Sequence, residues 1–433
     1  MTARSRLSGM SGFESEVDKW VLAALKAGHT AFTELLRNLP GVYPESALSS
    51  VVRLAADSSI SFSLSERIRA EARLPVRESL QDWSLLPIPH PLDFEWRFTS
   101  DSSRRLLELA TTLKCQNSTI LLFGTPGVAI EALSHRAGRR TIFVGEDNVV
   151  TRRITALNSA SESPLSIATC TLGLPTKVAD VVILDPPWYL DFIRPMLSAA
   201  AAACNPFGHV LISLPPLGTR PTAAIERETI VRFAARLGLD RVEEQPLAIN
   251  YQTPLFERNA LAVSGIRAPS QWRRGDLLVF QKCRESRRPA LTRSNRKQQW
   301  TEVSVDRMRL FVKCDRSSAS GLKGLIPLIE GDILPSVSRR DPRRREAHVW
   351  TSGNRIFATD NPRLVLDTAM SYHRNQSSAR NRNRLRHSDA RQAALRRIRE
   401  ALMQLAATEA TEERGARVEI KWRRRADRDR RIA

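Results

Sequence analysis

The sequence predicts an α/β fold built on a doubly wound, largely parallel sheet. A winged-helix-like domain precedes that sheet, and a small basic α+β domain with a tail follows it. Three observations carry the expectation. Between residues 102 and 285, short and wholly apolar runs alternate with segments of helical period, the pattern of strands buried on both faces. Glycine or Asn-Pro closes three of the helical segments, at Gly138, Asn205-Pro206 and Gly238. Three loops, FGTPG, GEDN and DPPW, follow directly on apolar runs, where doubly wound sheets place their ligands.

Residues 1–75 read as three short helices. Val17, Trp20, Val21, Ala24 and Leu25 share one face at i, i+3, i+4, i+7 and i+8. A second helix stops at Pro40-Gly41, and a third begins near Pro44 with Leu48, Val51, Val52 and Ala55 on one side. SSISFSL then alternates like a small strand, the expected wing. Residues 76–101 are a linker rich in proline and aromatics, with Trp83, Trp96 and Phe98 placed to pack on the next domain.

Within 102–285, Leu106 to Leu113 is helical, STILLFG a strand, VAIEALSHRAG a helix and RTIFVG a second strand. ADVVILD, FIRPMLSAAAAAC, HVLISLP and ETIVRFAARLG continue as strand, helix, strand and helix. NALAVSGI and DLLVFQK come close together with no helix between them, as for an antiparallel pair at the sheet edge. Residues 286–370 form the small basic domain. Residues 371–433 are an Arg-rich tail, with RNQSSARNRNRLRH disordered and Leu395, Ile398, Leu402 and Leu405 striping a helix.

Charge divides unevenly over the 433 residues. Residues 286–433 hold 35 of the 67 Lys and Arg but 17 of the 46 Asp and Glu, which puts +18 of the +21 formal charge there. Such a distribution implies a polyanionic partner, DNA or RNA. Five widely spaced cysteines without a C-x-x-C pair indicate neither a disulfide framework nor a zinc site. MTARSRLSGMSGFESE has no apolar core of a secretory signal, and the small-apolar run Met196 to Cys204 is too short to span a bilayer. A cytoplasmic protein without a membrane segment is expected. His135, His209 and His348 have no partner at metal or triad spacing.

The chemistry is concentrated in the three loops. Gly124, Thr125 and Gly127 allow a tight turn and close backbone approach at a helix N-terminus. Glu146 and Asp147 end the second strand, Asp147 lying 20 residues after Gly127, the interval at which an acid takes ribose hydroxyls. Asp185-Pro186-Pro187-Trp188 ends the run VVIL. Here the chain resembles the class I S-adenosylmethionine-dependent methyltransferases that methylate exocyclic amino groups. The resemblance spans residues 102–283 and implies a Rossmann-like methyltransferase sheet. It also implies S-adenosylmethionine over Gly124, Thr125, Gly127, Glu146 and Asp147, and an amine held by Asp185 and the Pro186 carbonyl. Pro187 would stiffen that loop, and Trp188 would lie against a flipped-out adenine or cytosine. Leu122 stands where the family carries an acid, and Pro126 where it carries a second glycine. The layout also looks like the branched-polyamine synthases, aminopropyltransferases with a winged helix ahead of a methyltransferase-like domain. A binding protein with a degenerate methyltransferase fold is the third reading. Finally, Arg339, Arg340, Arg343, Arg344 and Arg345 around the Asp341-Pro342 turn are expected to present five guanidiniums to phosphate, beside Trp350 and Thr351-Ser352-Gly353-Asn354.

Overall fold

The computed structural model describes residues 3–74, 85–113, 118–135, 137, 140–169, 176–285, 300–314, 321–377 and 389–429. Trp83 and most of RNQSSARNRNRLRH lie outside the described residues.

The N-terminal part is helical: α1 (Ala3–Lys26), α2 (Phe32–Asn38), α3 (Pro44–Ala56) and α4 (Phe62–Arg73). Val17, Val21, Leu35, Leu36, Val51 and Ile68 meet in its core, as the period of α1 implies. The expected wing is corrected to the helix α4. Ser61 accepts a hydrogen bond from Leu64 N as an N-cap, so the serines begin a helix whose buried positions, Ser65, Ile68 and Ala72, recur every three or four residues. No strand occurs among described residues 3–74.

The central sheet joins β1 (Arg97–Phe98), β2 (Ile120–Phe123), β3 (Thr141–Gly145), β4 (Ser166–Thr169), β5 (Ala179–Leu184), β6 (Cys204–Leu214), β7 (Leu239–Gln252) and β8 (Arg274–Lys282). Their order is β1-β7-β8-β6-β5-β2-β3-β4. From β4 to β6 the pairings are parallel, whereas β8, β7 and β1 run antiparallel. Connecting the parallel strands are α6 (Pro126–Ser134), α7 (Val149–Asn158) and α8 (Leu190–Ala203); α5 (Ser100–Thr112) precedes β2 and α9 (Ala223–Arg236) precedes β7. Alternate strand residues serve opposite faces. Ile120, Leu122, Val181 and Ile183 pack with α5 and α6, while Leu121, Phe123, Val182 and Leu184 pack with α8 and α9. The sheet is thus doubly wound, and chain order reverses between β2 and β5, which are hydrogen-bonded neighbours.

Five elements differ from expectation. NALAVSGI belongs to the helix α10 (Leu255–Val263), which buries Leu255, Phe256, Ala260 and Leu261. The partner of β8 is instead β7, a charged strand broken by register shifts between Arg241 and Glu243 and between Gln245 and Ile249, which hid its period. Arg97 and Phe98 of the presumed linker pair with Gln252 and Tyr251 as an edge strand. Unread α7 starts at an Asn148 cap, and edge strand β4 lacks an apolar run.

A second sheet, order β11-β13-β12-β10-β9, is built from β9 (Trp300–Val305), β10 (Met308–Lys313), β11 (Ile326–Pro327), β12 (Val349–Thr351) and β13 (Ile356–Ala358). It carries α11 (Pro362–Ser377) and α12 (Asp389–Asp429). The striped helix is no free tail: Ile398, Leu402 and Ala406 are buried with Val305, Leu310 and Val365, because the apolar stripe needs a sheet to cover it. Arg309, fully buried in β10, pairs with Asp93 and Glu302 at 2.6 Å and so ties residues 85–98 to this sheet. No described helix is long and apolar enough to cross a membrane.

Candidate active site at the carboxyl ends of the strands

Parallel register sets the three loops side by side. Phe123, the last residue of β2, pairs with Val144 in β3 and with Leu184 in β5. The next residue on β2 is Gly124, at φ +69, where a Cβ would stand 3.0 Å from the Asp185 carbonyl. Only glycine combines that left-handed backbone with so close an approach.

The Asp185 side chain is held from the far side of the sheet. Tyr251 at the end of β7 donates its hydroxyl proton to Asp185 Oδ1 at 2.6 Å. With that proton committed, Ser213 Oγ, 2.8 Å from the phenol oxygen, is the donor in the next link. Gly275 makes the arrangement possible, since a Cβ there would lie 2.5 Å from Ser213 Oγ, 3.1 Å from Tyr251 Cε2 and 3.3 Å from Trp188 Cζ2. Asp185 Oδ2 has no partner among the described residues and is not sealed from solvent. Burial pushes the Asp185 carboxyl well above the usual carboxylate range, against the pull of the Tyr251 bond and the Arg273 charge. Burial likewise raises the Tyr251 phenol, and the Asp185 charge adds to it.

Pro186 is buried and Pro187 half-buried, so the loop is fixed in place. Trp188 is corrected from a base-stacking platform to a packing residue. It is 7 % exposed, meets Tyr251 edge-on at 5.4 Å, and carries the Arg273 guanidinium 4.4 Å from its ring centroid. The other face of that guanidinium lies 4.0 Å from the Trp96 centroid. Arg220 fixes the Trp188 carbonyl at 2.5 Å, with Glu226 as its counter-ion. Beyond it, Tyr189 is flanked by Arg339 at 4.0 Å, Arg220 at 5.7 Å and Phe94 at 5.8 Å.

The other predicted positions divide. Thr125, 2 % exposed, has a hydroxyl with no hydrogen-bond partner at the start of α6, and Gly127 is buried in its first turn. Glu146 and Asp147 are exposed just past β3, Asp147 paired with Arg152 at 3.1 Å. Leu122 lies in the core, where a carboxylate would have no water. Of the five arginines expected to project together, three are engaged. Arg339 pairs with Asp191 at 2.7 Å, and Arg343 is chelated by Asp341 at 2.6 and 2.9 Å. Arg344 lies 4.4 Å from the Trp350 centroid, and burial lowers its pKa to about 10. Arg340 and Arg345 are exposed. Trp350, Thr351, Ser352 and Asn354 are buried, Ser352 donating to Glu409 at 2.7 Å, so they face the domain interior.

Tyr251, Ser213, Arg273, Gly275 and Glu257 escaped the sequence reading. Glu257 is fully buried in α10, and burial pushes its carboxyl up to about 7 while the Arg273 charge pulls it down. The one available signal was Arg273-Arg274-Gly275 ahead of the apolar run of β8.

No family model and no curated protein matches the chain. Among solved structures, the branched-chain polyamine synthase of Thermus thermophilus, in complex with N4-aminopropylspermidine and 5'-methylthioadenosine, aligns at 15 % identity with a TM-score of 0.47, over 65 % of this chain and 89 % of that one. A mutein of it, in complex with the same two compounds, gives 13 % and 0.49 over 67 % and 95 %. A methyltransferase from Pyrococcus furiosus gives 17 % and 0.28 over 42 % and 82 %. Likeness at these levels brings neither activity nor substrate to this chain, and its function is argued from its own residues.

Proposed function

We propose that the chain transfers a methyl group from S-adenosylmethionine to an exocyclic amino nitrogen of a nucleic-acid base, adenine N6 or cytosine N4. The observation that carries this is Asp185, with Oδ1 tethered by Tyr251 and Oδ2 open at the switch point of the sheet. An amine that gains a methyl group must shed a proton. Asp185 accepts one N–H, the Pro186 carbonyl accepts the other, and the lone pair is left free. A carboxyl lifted toward neutrality by burial is a better base than an exposed one.

The donor half fits in part. Gly124 is exposed, with the Asp185 carbonyl and Met196 Cε the nearest atoms to where a side chain would stand, and the buried Thr125 hydroxyl lacks a partner that a ligand would supply. Gly127 continues that turn, and on this reading Glu146 and Asp147, exposed just past β3, would take ribose hydroxyls. Pro126 removes one N–H from the turn, and Leu122 provides no charge. S-adenosylmethionine supplies an electrophilic methyl group on a sulfonium. Arg273 and Arg220 near Asp185 count against a polyamine acceptor, since a cationic substrate would be repelled. Pro126 and Leu122 favour the second reading, a nucleic-acid-binding protein with a degenerate fold.

Titration calorimetry with S-adenosylmethionine separates the two. Saturable 1:1 binding lost in Gly124→Val supports the enzyme; an absence of heat, with nucleic-acid binding intact, selects the second reading.

A further inference from the structure

Arg273 is the most confined cation near Asp185 and has the least to bond. Its guanidinium carbon lies 4.0 Å from the Trp96 centroid and 4.4 Å from that of Trp188. Both rings are braced: Trp96 packs edge-on against Phe256 and Trp272, and Trp188 against Tyr251. The two faces of the fork are therefore fixed, and only its N–H edges remain for bonding.

Those edges are unused. Among the described residues no hydrogen bond or ion pair engages a nitrogen of Arg273, and none of its three nitrogens is sealed from solvent. The arginines around it are spent differently. Arg220 bonds to the Trp188 carbonyl and Glu226, Arg339 pairs with Asp191, and Arg344 reaches the carbonyls of Val337 and Pro91. Glu257 makes no ion pair with the fork, yet its charge and that of Asp185 both feel Arg273. A guanidinium fixed between two rings, with N–H edges that meet only solvent, is pre-oriented for an anion that takes both edges.

We propose that Arg273 receives an oxyanion of the acceptor substrate, a phosphate in preference to a carboxylate, beside the amine that Asp185 takes. This rests on the proposed function for the amine, not for the anion. The fork matches two oxygens of a phosphate, and the neighbouring charge of Arg220 favours the more highly charged ligand. The acceptor is then a nucleotide unit presenting its amine and its phosphate together. Arg273 would set which nucleotide conformation brings the amine to Asp185.

The test needs neither S-adenosylmethionine nor turnover. Full-length protein is titrated with inorganic phosphate at constant ionic strength and followed by calorimetry and tryptophan fluorescence, since two rings touch the guanidinium. Saturable 1:1 binding is expected, weakened at least tenfold in Arg273→Gln and less in Arg273→Lys, which keeps charge but loses the fork. Arg232→Gln, an exposed arginine of α9, should bind as wild type. Equal phosphate binding by wild type and both Arg273 variants overturns the proposal, as does acetate binding as tightly as phosphate. If Arg273→Gln does not fold, Arg273→Lys decides, its thermal midpoint reporting an intact fold. Failure of S-adenosylmethionine to bind would remove the methyltransferase reading and leave this one standing.

Discussion

Tyr251, in β7, and Asp185, just past β5, come from strands with two others between them in the sheet, yet their side chains meet at 2.6 Å. The phenol both aims the carboxyl and favours its ionised form. Tyr251→Phe should therefore raise the Asp185 pKa further, because the bond it removes stabilises the carboxylate. Transfer rate should fall by about 10- to 100-fold, and the acid limb of the pH–rate profile should move to higher pH. A rate profile from pH 5 to 9 reads both effects.

Gly275→Ala places a methyl group 2.5 Å from Ser213 Oγ and among two aromatic side chains. The expected loss is about 1–3 kcal/mol, the usual penalty of overpacking. Urea unfolding checks it, with an unchanged m-value showing that the loss is in the folded state.

Glu257 gives stability a pH dependence of known sign. Its folded pKa of about 7 lies above the ordinary 4.5, so the folded protein binds the proton more tightly than the unfolded chain. The stability this contributes is complete below about pH 4.5 and is lost as pH rises to about 7, a swing of at most about 3 kcal/mol. Glu257→Gln should gain stability relative to wild type between pH 5 and pH 8. Paired thermal denaturation at those two pH values measures the difference.

Nucleic-acid affinity should depend on the arginine loop unequally. Arg340 and Arg345 are exposed, whereas Arg343 is held by Asp341. Replacing Arg340 and Arg345 with Gln should lower the slope of log affinity against log salt by about two, whereas Arg343→Gln should leave it nearly unchanged. Filter binding across a salt series distinguishes them.

The parallel half of the sheet was legible because its strands are buried on both faces. Runs such as VVIL and HVLISL leave little choice of state, and the loop after VVIL falls at the switch point between β5 and β2. The antiparallel half was obscure for the opposite reason. Strand β7 carries Asp240, Arg241, Glu243 and Glu244 on an edge that β1 covers only at Tyr251 and Gln252, so no alternation marks it. Tyr251 and Arg273 sit in or beside that region, and for that reason the groups around Asp185 are not marked in the sequence. Trp188 was misread because sequence gives its proximity to Asp185 but not the guanidinium already lying on its face. The arginine loop was misjudged in the same way: adjacency in sequence says nothing about Asp191 and Trp350, which take two of its members.

The central claim is that Asp185 receives an amine for methyl transfer. The most direct measurement is incorporation of labelled methyl from S-adenosylmethionine into mixed single-stranded DNA and RNA by wild type and Asp185→Ala. Incorporation by wild type that falls at least 100-fold in the variant, with donor affinity kept, is the expected result. No incorporation by wild type, or equal incorporation by both proteins, contradicts it.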